Sequence, residues 1–273
     1  MIRPLTTADI PGAMRLKEAA NWNQTAEDWE LVLRLAPRGC FGLEYEGTLA
    51  ATTTAVCYGR ELAWIGMVLT DPALRGRGFA RRLMEHAIDY LERNDVEWIK
   101  LDATDMGYPL YRKLGFEDEC VVERWLRPAG AVPGTPADGA FSLKEWLVAD
   151  RQAFGADREQ LLAALSRGEA VSLPGGGYAM GRPGAKAAYF GPCVARTSGA
   201  ARALLEWFLI RHAGEPVFWD ILPQNSAALE LAREFGFERR RELVRMVRRG
   251  APPARDLQHN DSDIFALAGF EYG

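Results

Sequence analysis

A short loop rich in arginine and glycine is the most chemically informative segment of this 273-residue chain. An apolar stretch ends at Thr70-Asp71-Pro72, and Arg75-Gly76-Arg77-Gly78-Phe79-Ala80 then lead directly into a helical pattern. Glycine allows tight curvature, and the unpaired N–H groups of a helix start converge on one point. The helix dipole and nearby arginines make that point attractive to a phosphate or pyrophosphate. The sequence therefore predicts an anion-binding loop, with a glycine-rich helix start that binds no ligand as the alternative.

Other phosphate-binding classes do not fit this loop. A Walker loop needs Gly-Lys-Ser/Thr, and a dinucleotide fingerprint needs G-x-G-x-x-G, whereas the loop offers only Gly76-x-Gly78-x-Ala80.

Nucleic acid is disfavoured as a partner, because 33 basic against 37 acidic residues give a net charge of −4. We interpret the six arginines between Arg239 and Arg249 as a solvated face.

A second motif follows about thirty residues downstream of the loop. The segment Pro109-Leu-Tyr-Arg-Lys-Leu-Gly-Phe116 places Tyr111 four residues before a Gly-Phe pair. Together, this tyrosine motif and Arg75-x-x-Gly78-x-Ala80 after Thr-Asp-Pro resemble the two hallmarks of the GNAT superfamily of N-acetyltransferases. The resemblance covers residues 1–127. It implies acetyl-CoA as co-substrate and a primary amine of a small molecule or peptide as acceptor.

The resemblance also implies roles for the residues of the first motif. The backbone of Val68, Leu69 and Thr70 would pair with the pantetheine arm of the coenzyme. The pyrophosphate would be held by the loop and the helix start, namely Arg75, Gly76, Arg77, Gly78, Phe79, Ala80 and Arg81.

By the same resemblance, Tyr111 would be the general acid that protonates the coenzyme A thiolate, and a purely packing tyrosine is the alternative. The acceptor amine must be neutral to attack, so a base or a water chain leading to one is needed. Asp102 is our candidate base, and Asp105 just beyond the strand is a second candidate. A structural role for Asp102, as a salt-bridged residue at the end of the strand, is equally consistent with the sequence. Thr104 stands where many members carry an asparagine. Trp22 would border the acceptor pocket, or staple the second helix.

Hydrophobic periodicity predicts a mixed α/β chain. The predicted helices are Thr7–Ala19, Thr25–Leu35 with a capping box, Gly78–Glu92, Pro109–Leu114, Phe141–Phe154, Asp157–Leu165, Ser198–His212 and Ser226–Phe235. The predicted strands are Gly39–Tyr45, Thr48–Cys57, Glu61–Thr70, Glu97–Ala103, Glu117–Leu126, Ala170–Met180, Ala187–Ala195, Pro216–Leu222, Glu238–Val247 and Ile264–Phe270. The fold class predicted is α/β (α+β): two tandem GNAT-like domains, each a mixed, mostly antiparallel sheet flanked by helices.

An internal repeat supports the tandem arrangement. Sliding the chain by 121 residues aligns 75–127 with 196–248, and 16 of these 53 positions are identical. Unrelated segments would share about three. We predict a catalytic domain at 1–127, a Pro/Gly/Ala-rich linker at 128–140 and a degenerate GNAT-like domain at 141–273.

The second copy lacks part of the chemistry. It keeps Arg196-x-x-Gly199-x-Ala201 and places Asn225 where the first copy has Thr104, but Ala232 replaces the tyrosine. We predict a domain that shapes the acceptor site or supports the catalytic half. A second, inactive coenzyme site is the alternative.

The remaining features predict a cytoplasmic protein without a membrane span. No window approaches the roughly 18 apolar residues that a span needs, and the N-terminus does not read as a secretory signal. The cysteines are widely spaced and the histidines isolated, which predicts neither a disulfide framework nor a metal site. A homodimer is compatible with the sequence. The alternative to an enzyme is a catalytically weak, coenzyme A-binding regulatory or scaffold protein.

Overall fold

Two compact units make up the protein. The computed structural model describes residues 1–134, 141–250 and 254–273, so part of the predicted linker lies outside the described residues. The first unit contains Met1–Glu119, Met246–Asp256 and Phe270–Gly273, and the second contains Cys120–Arg245 and Leu257–Gly269. The units therefore interleave along the sequence. The predicted domain bounds, 1–127 and 141–273, describe the two copies of the repeat and stay a prediction.

Helices and strands alternate through the described chain. The helices are α1 (Ile10–Ala19), α2 (Ala26–Leu35), α3 (Phe79–Arg93), α4 (Tyr108–Lys113), α5 (Leu143–Phe154), α6 (Glu159–Leu165), α7 (Ser198–Arg211) and α8 (Ser226–Glu234). The strands are β1 (Ile2–Pro4), β2 (Cys40–Tyr45), β3 (Thr48–Tyr58), β4 (Leu62–Thr70), β5 (Trp98–Ala103), β6 (Glu117–Arg127), β7 (Glu169–Leu173), β8 (Gly177–Arg182), β9 (Ala188–Ala195), β10 (Val217–Ile221), β11 (Glu238–Arg249) and β12 (Ile264–Ala266).

Each unit has a mixed sheet that is mainly antiparallel. In the first unit the order is β1-β2-β3-β4-β5; the first four strands pair antiparallel and β4 pairs with β5 in parallel. The end of β11 runs beside β5, where the N–H of Gly250 donates to the carbonyl of Glu97 at 2.8 Å. In the second unit the order is β11-β6-β10-β9-β8-β7, with β12 added to β9. The predicted fold class is confirmed.

Two predicted strands were wrong in extent. The segment Ala170–Met180 is not one strand but the hairpin of β7 and β8, because Gly175 adopts the left-handed conformation at φ +69° and reverses the chain. The predicted closing strand Ile264–Phe270 is strand only at Ile264–Ala266.

The repeat predicted from sequence appears in the order of elements. An offset of 121 residues carries α3 onto α7, α4 onto α8 and β6 onto β11. Corresponding residues occupy corresponding core positions at two places, since Leu83 and Leu204 are both buried, as are Val96 and Val217. Trp98 is only partly buried, whereas its counterpart Trp219 is fully buried. A buried leucine contributes roughly 1.5–3 kcal/mol to folding. The two copies thus share both their element order and part of their core pattern.

Candidate active site

The parallel pairing of β4 and β5 covers only part of these strands. Leu62–Trp64 pair with Trp98–Lys100, and the pairing ends there, although β4 continues to Thr70. On its other edge β4 stays paired with β3, where Thr70 lies opposite Ala51. Within the described residues, the edge of Val68–Thr70 that faces β5 pairs with no strand. This open edge is a row of backbone donors and acceptors available to an extended ligand.

An irregularity in β4 marks the beginning of the open edge. The β3–β4 register shifts between Thr52 and Thr54, and Met67 has a positive φ of +48°. The hydroxyl of Thr52 donates to the Met67 carbonyl at 2.8 Å, which holds the irregular turn of backbone in place. Bulges bend a strand and end its regular pairing, and they are common beside active sites.

The predicted anion loop follows β4 directly and ends at the start of α3. Gly76 and Gly78 have φ values of +78° and +76°, and a β-carbon at either position would meet no atom within 4 Å. Glycine is therefore required here by backbone conformation and not by space. The N-cap residue of α3 is Gly78, which makes no side-chain cap, and Arg75 to Gly78 are exposed. The helix start is free to receive an anion.

Side chains from elsewhere in the first unit fix both ends of the loop. Arg15 pairs with Asp71 at 2.5 Å, and this arginine is the main reason that the pKa of Asp71 lies below its usual value. Arg77 donates to the Tyr45 hydroxyl at 2.8 Å and lies over the same ring, 5.1 Å from its centroid. Arg81 pairs with a glutamate one turn along α3, and Arg75 is exposed. Contacts therefore fix the positive charges of Arg77 and Arg81, and Arg75 adds an exposed positive charge to the loop.

Tyr111 lies on α4 with only 7% of its surface exposed. Its ring packs edge-on against Phe116 at 6.2 Å between centroids. Burial raises the pKa of Tyr111 well above its ordinary value. In the part of the chain that the structure describes, no group forms a hydrogen bond with the Tyr111 hydroxyl. The side chain is a neutral phenol that can donate its proton to a strong base formed nearby.

The Tyr111 ring packs closely against Gly107, in space that a side chain at this position would fill. A β-carbon there would lie 2.7 Å from Cε2 and 3.0 Å from the hydroxyl oxygen of Tyr111. Gly107 itself has ordinary helical angles of −83° and −31°, so alanine brings no backbone strain.

Substituting Gly107→Ala is therefore expected to displace the tyrosine without unfolding the helix. We expect kcat to fall by about 10- to 100-fold, the usual cost of shifting a reacting group by an ångström. Steady-state kinetics with a thermal unfolding control measures this. An unchanged kcat would show that the position of Tyr111 is unimportant to turnover.

The other predicted site residues occupy varied environments. Asp102 is partly buried on β5, in the segment beyond its pairing with β4, whereas Asp105 is exposed after the strand. The hydroxyl of Thr104 accepts from the N–H of Gly107 at 3.3 Å and so supports the start of α4. Trp22 is half-buried between α1 and α2. The assignment of a base and of an acceptor contact to these residues stays a prediction.

One buried acidic residue was missed by sequence reasoning. Glu271 belongs to the first unit and is 2% exposed, and its Oε2 accepts from Nε2 of Gln24 at 2.8 Å. The two residues are 247 positions apart, so no local spacing could have paired them. The only sequence signal was that Gln24 stands in the segment between α1 and α2.

In the second copy, two parallel strands also pair over only part of their length, but another segment of the chain pairs with one of them beyond that point. β9 and β10 pair in parallel only over Ala188–Phe190 and Val217–Trp219. Beyond that point, β12 pairs with Cys193 and Val194 of β9. The indole of Trp219 on β10 donates to a carbonyl in β12 at 2.8 Å. The edge equivalent to the open edge of β4 is therefore already hydrogen-bonded.

Asn225 binds this inserted segment. Its side-chain amide donates to the carbonyls of Ser262 and Ile264, both at 3.0 Å. In the first copy the corresponding residue is Thr104, and Ala232, which replaces the tyrosine, is fully buried. The second copy thus lacks both a free strand edge and the acid.

These contacts predict a single coenzyme site per chain. Calorimetric titration with acetyl-CoA is expected to give a stoichiometry of one. The variant Gly199→Asp, which alters the loop of the second copy, is expected to leave affinity and stoichiometry unchanged. Two sites per chain, or a loss of binding in Gly199→Asp, would show that the second copy takes part.

The arginines of β11 are mostly engaged within their own units. Arg239 pairs with Glu123 at 2.9 Å, and Arg248 pairs with Glu92 at 2.7 Å. Arg249 lies over the Trp98 ring at 5.3 Å. Charge neutralised in this way offers little attraction to phosphates. Arg245 is buried, so the six arginines do not all lie on the solvated face that the sequence predicted.

Over residues 1–134, 141–250 and 254–273, no group of three or more His, Cys, Asp or Glu side chains is placed to hold a metal ion. Of the helices that the structure describes, none has the length and apolar character needed to cross a bilayer.

Comparison with known protein families agrees with the geometry of both copies. A domain model of the acetyltransferase (GNAT) family matches residues 11–116, and a second acetyltransferase (GNAT) domain model matches residues 147–264. The chain belongs to the GNAT acetyltransferase family and contains two of its domains. It is an N-acetyltransferase, as the two motifs predicted.

Individual relatives are similar over different lengths. YitH of Bacillus subtilis, named as an uncharacterized N-acetyltransferase, is 26% identical over 246 residues, which cover 84% of this chain and 85% of YitH. The alanine N-acetyltransferase of ribosomal protein bS18 from Escherichia coli K12 is 28% identical over 129 residues, 44% of this chain and 82% of that enzyme. A crystal structure from Pyrococcus horikoshii, 24% identical, has a TM-score of 0.85 and covers 100% of this chain and 95% of that one.

Proposed function

We propose that the first unit transfers an acetyl group from acetyl-CoA to a primary amine of a small molecule or peptide by direct attack. The observation that carries this proposal is the open edge of β4, which leads through two left-handed glycines into the uncapped start of α3. An extended amide-containing arm followed by a pyrophosphate matches that order of binding surfaces.

The coenzyme contacts follow from these surfaces. The backbone of Val68–Thr70 would pair with the pantetheine arm, and the N–H groups from Arg77 to Ala80 would bind the pyrophosphate. The side chains of Arg75 and Arg81 would add positive charge. Because this chain belongs to the GNAT family, acetyl-CoA is the co-substrate that we assign to these groups.

The reaction needs one proton donor and one proton acceptor. The neutral amine attacks the thioester carbonyl carbon and forms the new C–N bond, and collapse of the tetrahedral intermediate breaks the C–S bond. Tyr111 then donates its hydroxyl proton to the departing thiolate and recovers a proton from water. The proton lost by the amine passes to a base and then to solvent. A positioned general acid of this kind contributes about 10²–10⁴-fold.

The acceptor is proposed only as a class. The bS18-alanine enzyme acts, by its name, on a protein alanine, which supports including peptide amines among the acceptors. It matches less than half of this chain, so small-molecule amines are equally part of the proposal.

A panel of primary amines tests the proposal. Free thiol release from acetyl-CoA is measured with amino acids, polyamines, aminoglycosides and short peptides as acceptors. We expect thiol release that depends on one class of amine. If the protein binds acetyl-CoA yet no amine promotes thiol release, the protein is a coenzyme A-binding scaffold and the proposed function is wrong.

A further inference from the structure

We infer that Glu271, Gln24 and Thr54 bind the ammonium group of the acceptor, and that Glu271 takes its proton. This inference rests on the proposed function and assigns the acceptor-binding residues within it. It replaces neither the coenzyme contacts nor the role of Tyr111.

The segment that carries Glu271 lies on one face of the β3–β4 pair. The indole N–H of Trp64 donates to the carbonyl of Phe270 at 3.0 Å, and the hydroxyl of Tyr58 donates to the carbonyl of Tyr272 at 2.7 Å. The residues on either side of Glu271 are therefore held in place through their backbone carbonyls. The position of Glu271 is set by two long-range hydrogen bonds to fully or nearly fully buried aromatic residues.

Gly66 makes room for Glu271 next to the irregular turn at Met67. A β-carbon at Gly66 would lie 2.8 Å from Cα of Glu271 and 3.1 Å from its carbonyl oxygen. Gly66 immediately precedes Met67, and Val68 begins the open edge assigned to the pantetheine arm. Glu271 thus contacts β4 at Gly66, two positions before the proposed coenzyme-binding edge begins at Val68.

Gln24 provides an acceptor that has no donor. Its Nε2 donates to Glu271 Oε2 at 2.8 Å, and the carboxylate fixes this amide orientation, because the opposite one would place two acceptor oxygens together. Gln24 is 7% exposed, and its Oε1 is buried with no hydrogen-bond partner among the residues described. A buried acceptor left unsatisfied costs about 1–3 kcal/mol, so a ligand or water that donates to it is stabilised.

Thr54 supplies a second unsatisfied oxygen on the same face. It lies directly opposite Gly66 in the β3–β4 register, and opposed residues project from the same face with β-carbons about 5 Å apart. Its hydroxyl is fully buried and, in the described chain, has no hydrogen-bond partner. Thr54 therefore lies on the face of the β3–β4 pair that the backbone of Glu271 contacts at Gly66, and the Glu271 carboxylate is hydrogen-bonded to Gln24.

The chemistry of the three groups fits a primary ammonium. An alkylammonium has three N–H donors and one positive charge, and the three groups offer one carboxylate and two neutral acceptors. Transfer of one N–H proton to Glu271 leaves the amine neutral, with a lone pair in place of the broken N–H bond and its two remaining N–H groups held by Gln24 and Thr54. That neutral amine is the form that attacks the thioester.

A carboxyl-selective NMR titration tests this binding site without turnover. Protein labelled with ¹³C at the glutamate side-chain carboxyl carbon is titrated with propylammonium, spermidine and alanine amide, with coenzyme A present. The Glu271→Gln spectrum assigns the Glu271 signal. We expect a saturable shift of that signal with at least one primary amine and none with tetramethylammonium, which lacks N–H donors. No saturable shift with any of the three amines, or an equal shift with tetramethylammonium, overturns the inference.

Kinetics with an acceptor from the amine panel distinguishes a failure of this inference from a failure of the proposed function. Thr54→Val removes only the hydroxyl and is expected to raise the acceptor KM about tenfold, the worth of one hydrogen bond, with acetyl-CoA affinity unchanged. Thr53→Val is the matched control, because its hydroxyl is equally buried and without a partner but projects from the opposite face. Equal effects of both variants would overturn the inference and leave the proposed function standing. Failure of the wild type to bind acetyl-CoA would instead contradict the proposed function.

Discussion

Replacing Tyr111 with phenylalanine is expected to lower kcat by about 100-fold while the affinity for acetyl-CoA stays unchanged. Phenylalanine keeps the ring that packs on Phe116 and against Gly107, and it removes only the hydroxyl. Since burial raises the pKa of this phenol, the hydroxyl is protonated before the reaction and can supply the proton that the thiolate needs. Steady-state kinetics gives kcat, and calorimetry gives the affinity.

Tyr108 offers a matched control on the same helix. Its hydroxyl donates to Asp118 at 2.9 Å, so Tyr108→Phe also removes one phenolic hydroxyl from α4. We expect this variant to turn over at close to the wild-type rate. A similar loss in both variants would mean that α4 tolerates neither change for structural reasons. A Tyr111→Phe enzyme with full kcat would remove the tyrosine from the chemistry.

Replacing Gly78 with aspartate is expected to weaken acetyl-CoA binding by about 10- to 100-fold, the worth of a charge-assisted hydrogen bond at roughly 1.4 kcal/mol per factor of ten. A carboxylate at the residue preceding α3 would accept the free N–H groups of the first turn and repel a pyrophosphate. The substitution also places a side chain at a φ of +76°. Calorimetric titration with acetyl-CoA measures the loss.

The backbone cost of that substitution can be separated from its charge. Gly236 has the same φ of +76° and, like Gly78, no atom within 4 Å of a β-carbon, and it lies in the second unit. Gly236→Asp should therefore lose a similar amount of stability and bind acetyl-CoA normally. Unchanged affinity in Gly78→Asp would show that the loop binds no phosphate.

Much of the first unit followed from local sequence signals. The anion loop was predicted because Gly76 and Gly78 allow positive φ before a periodic helix, and both residues adopt it. The helix α2 begins as predicted, with the Thr25 and Asp28 side chains forming the capping box. The repeat was visible because the second copy kept enough identical residues at one fixed offset.

The hairpin of β7 and β8 had a local signal that the prediction missed, because Pro174-Gly175-Gly176-Gly177 interrupts the apolar pattern at the turn. Two other features depended on contacts between distant residues and could not be predicted locally. The pairing of β12 with β9 joins residues about seventy positions apart and closes the second copy. Glu271 reaches Gln24 across most of the chain. Periodicity identifies an element but carries no information about which distant element it will contact.

The closed edge of the second copy explains why a degenerate domain keeps its fold. β12 supplies backbone hydrogen bonds to β9, and Asn225 holds the segment on the other side. Buried backbone groups that would otherwise lack partners are satisfied without a coenzyme. We therefore expect the second unit to keep its fold without a ligand.

The fate of a labelled acetyl group tests the central claim most directly. Acetyl-CoA labelled in the acetyl carbonyl carbon is incubated with the protein and the preferred amine, and the label is followed in amine, protein and free acetate. We predict that the label appears on the amine in amounts equal to the free thiol released, with none on the protein. Label that accumulates on the protein would contradict direct attack. Label that stays on coenzyme A or appears only as acetate would contradict an N-acetyltransferase reaction at this site.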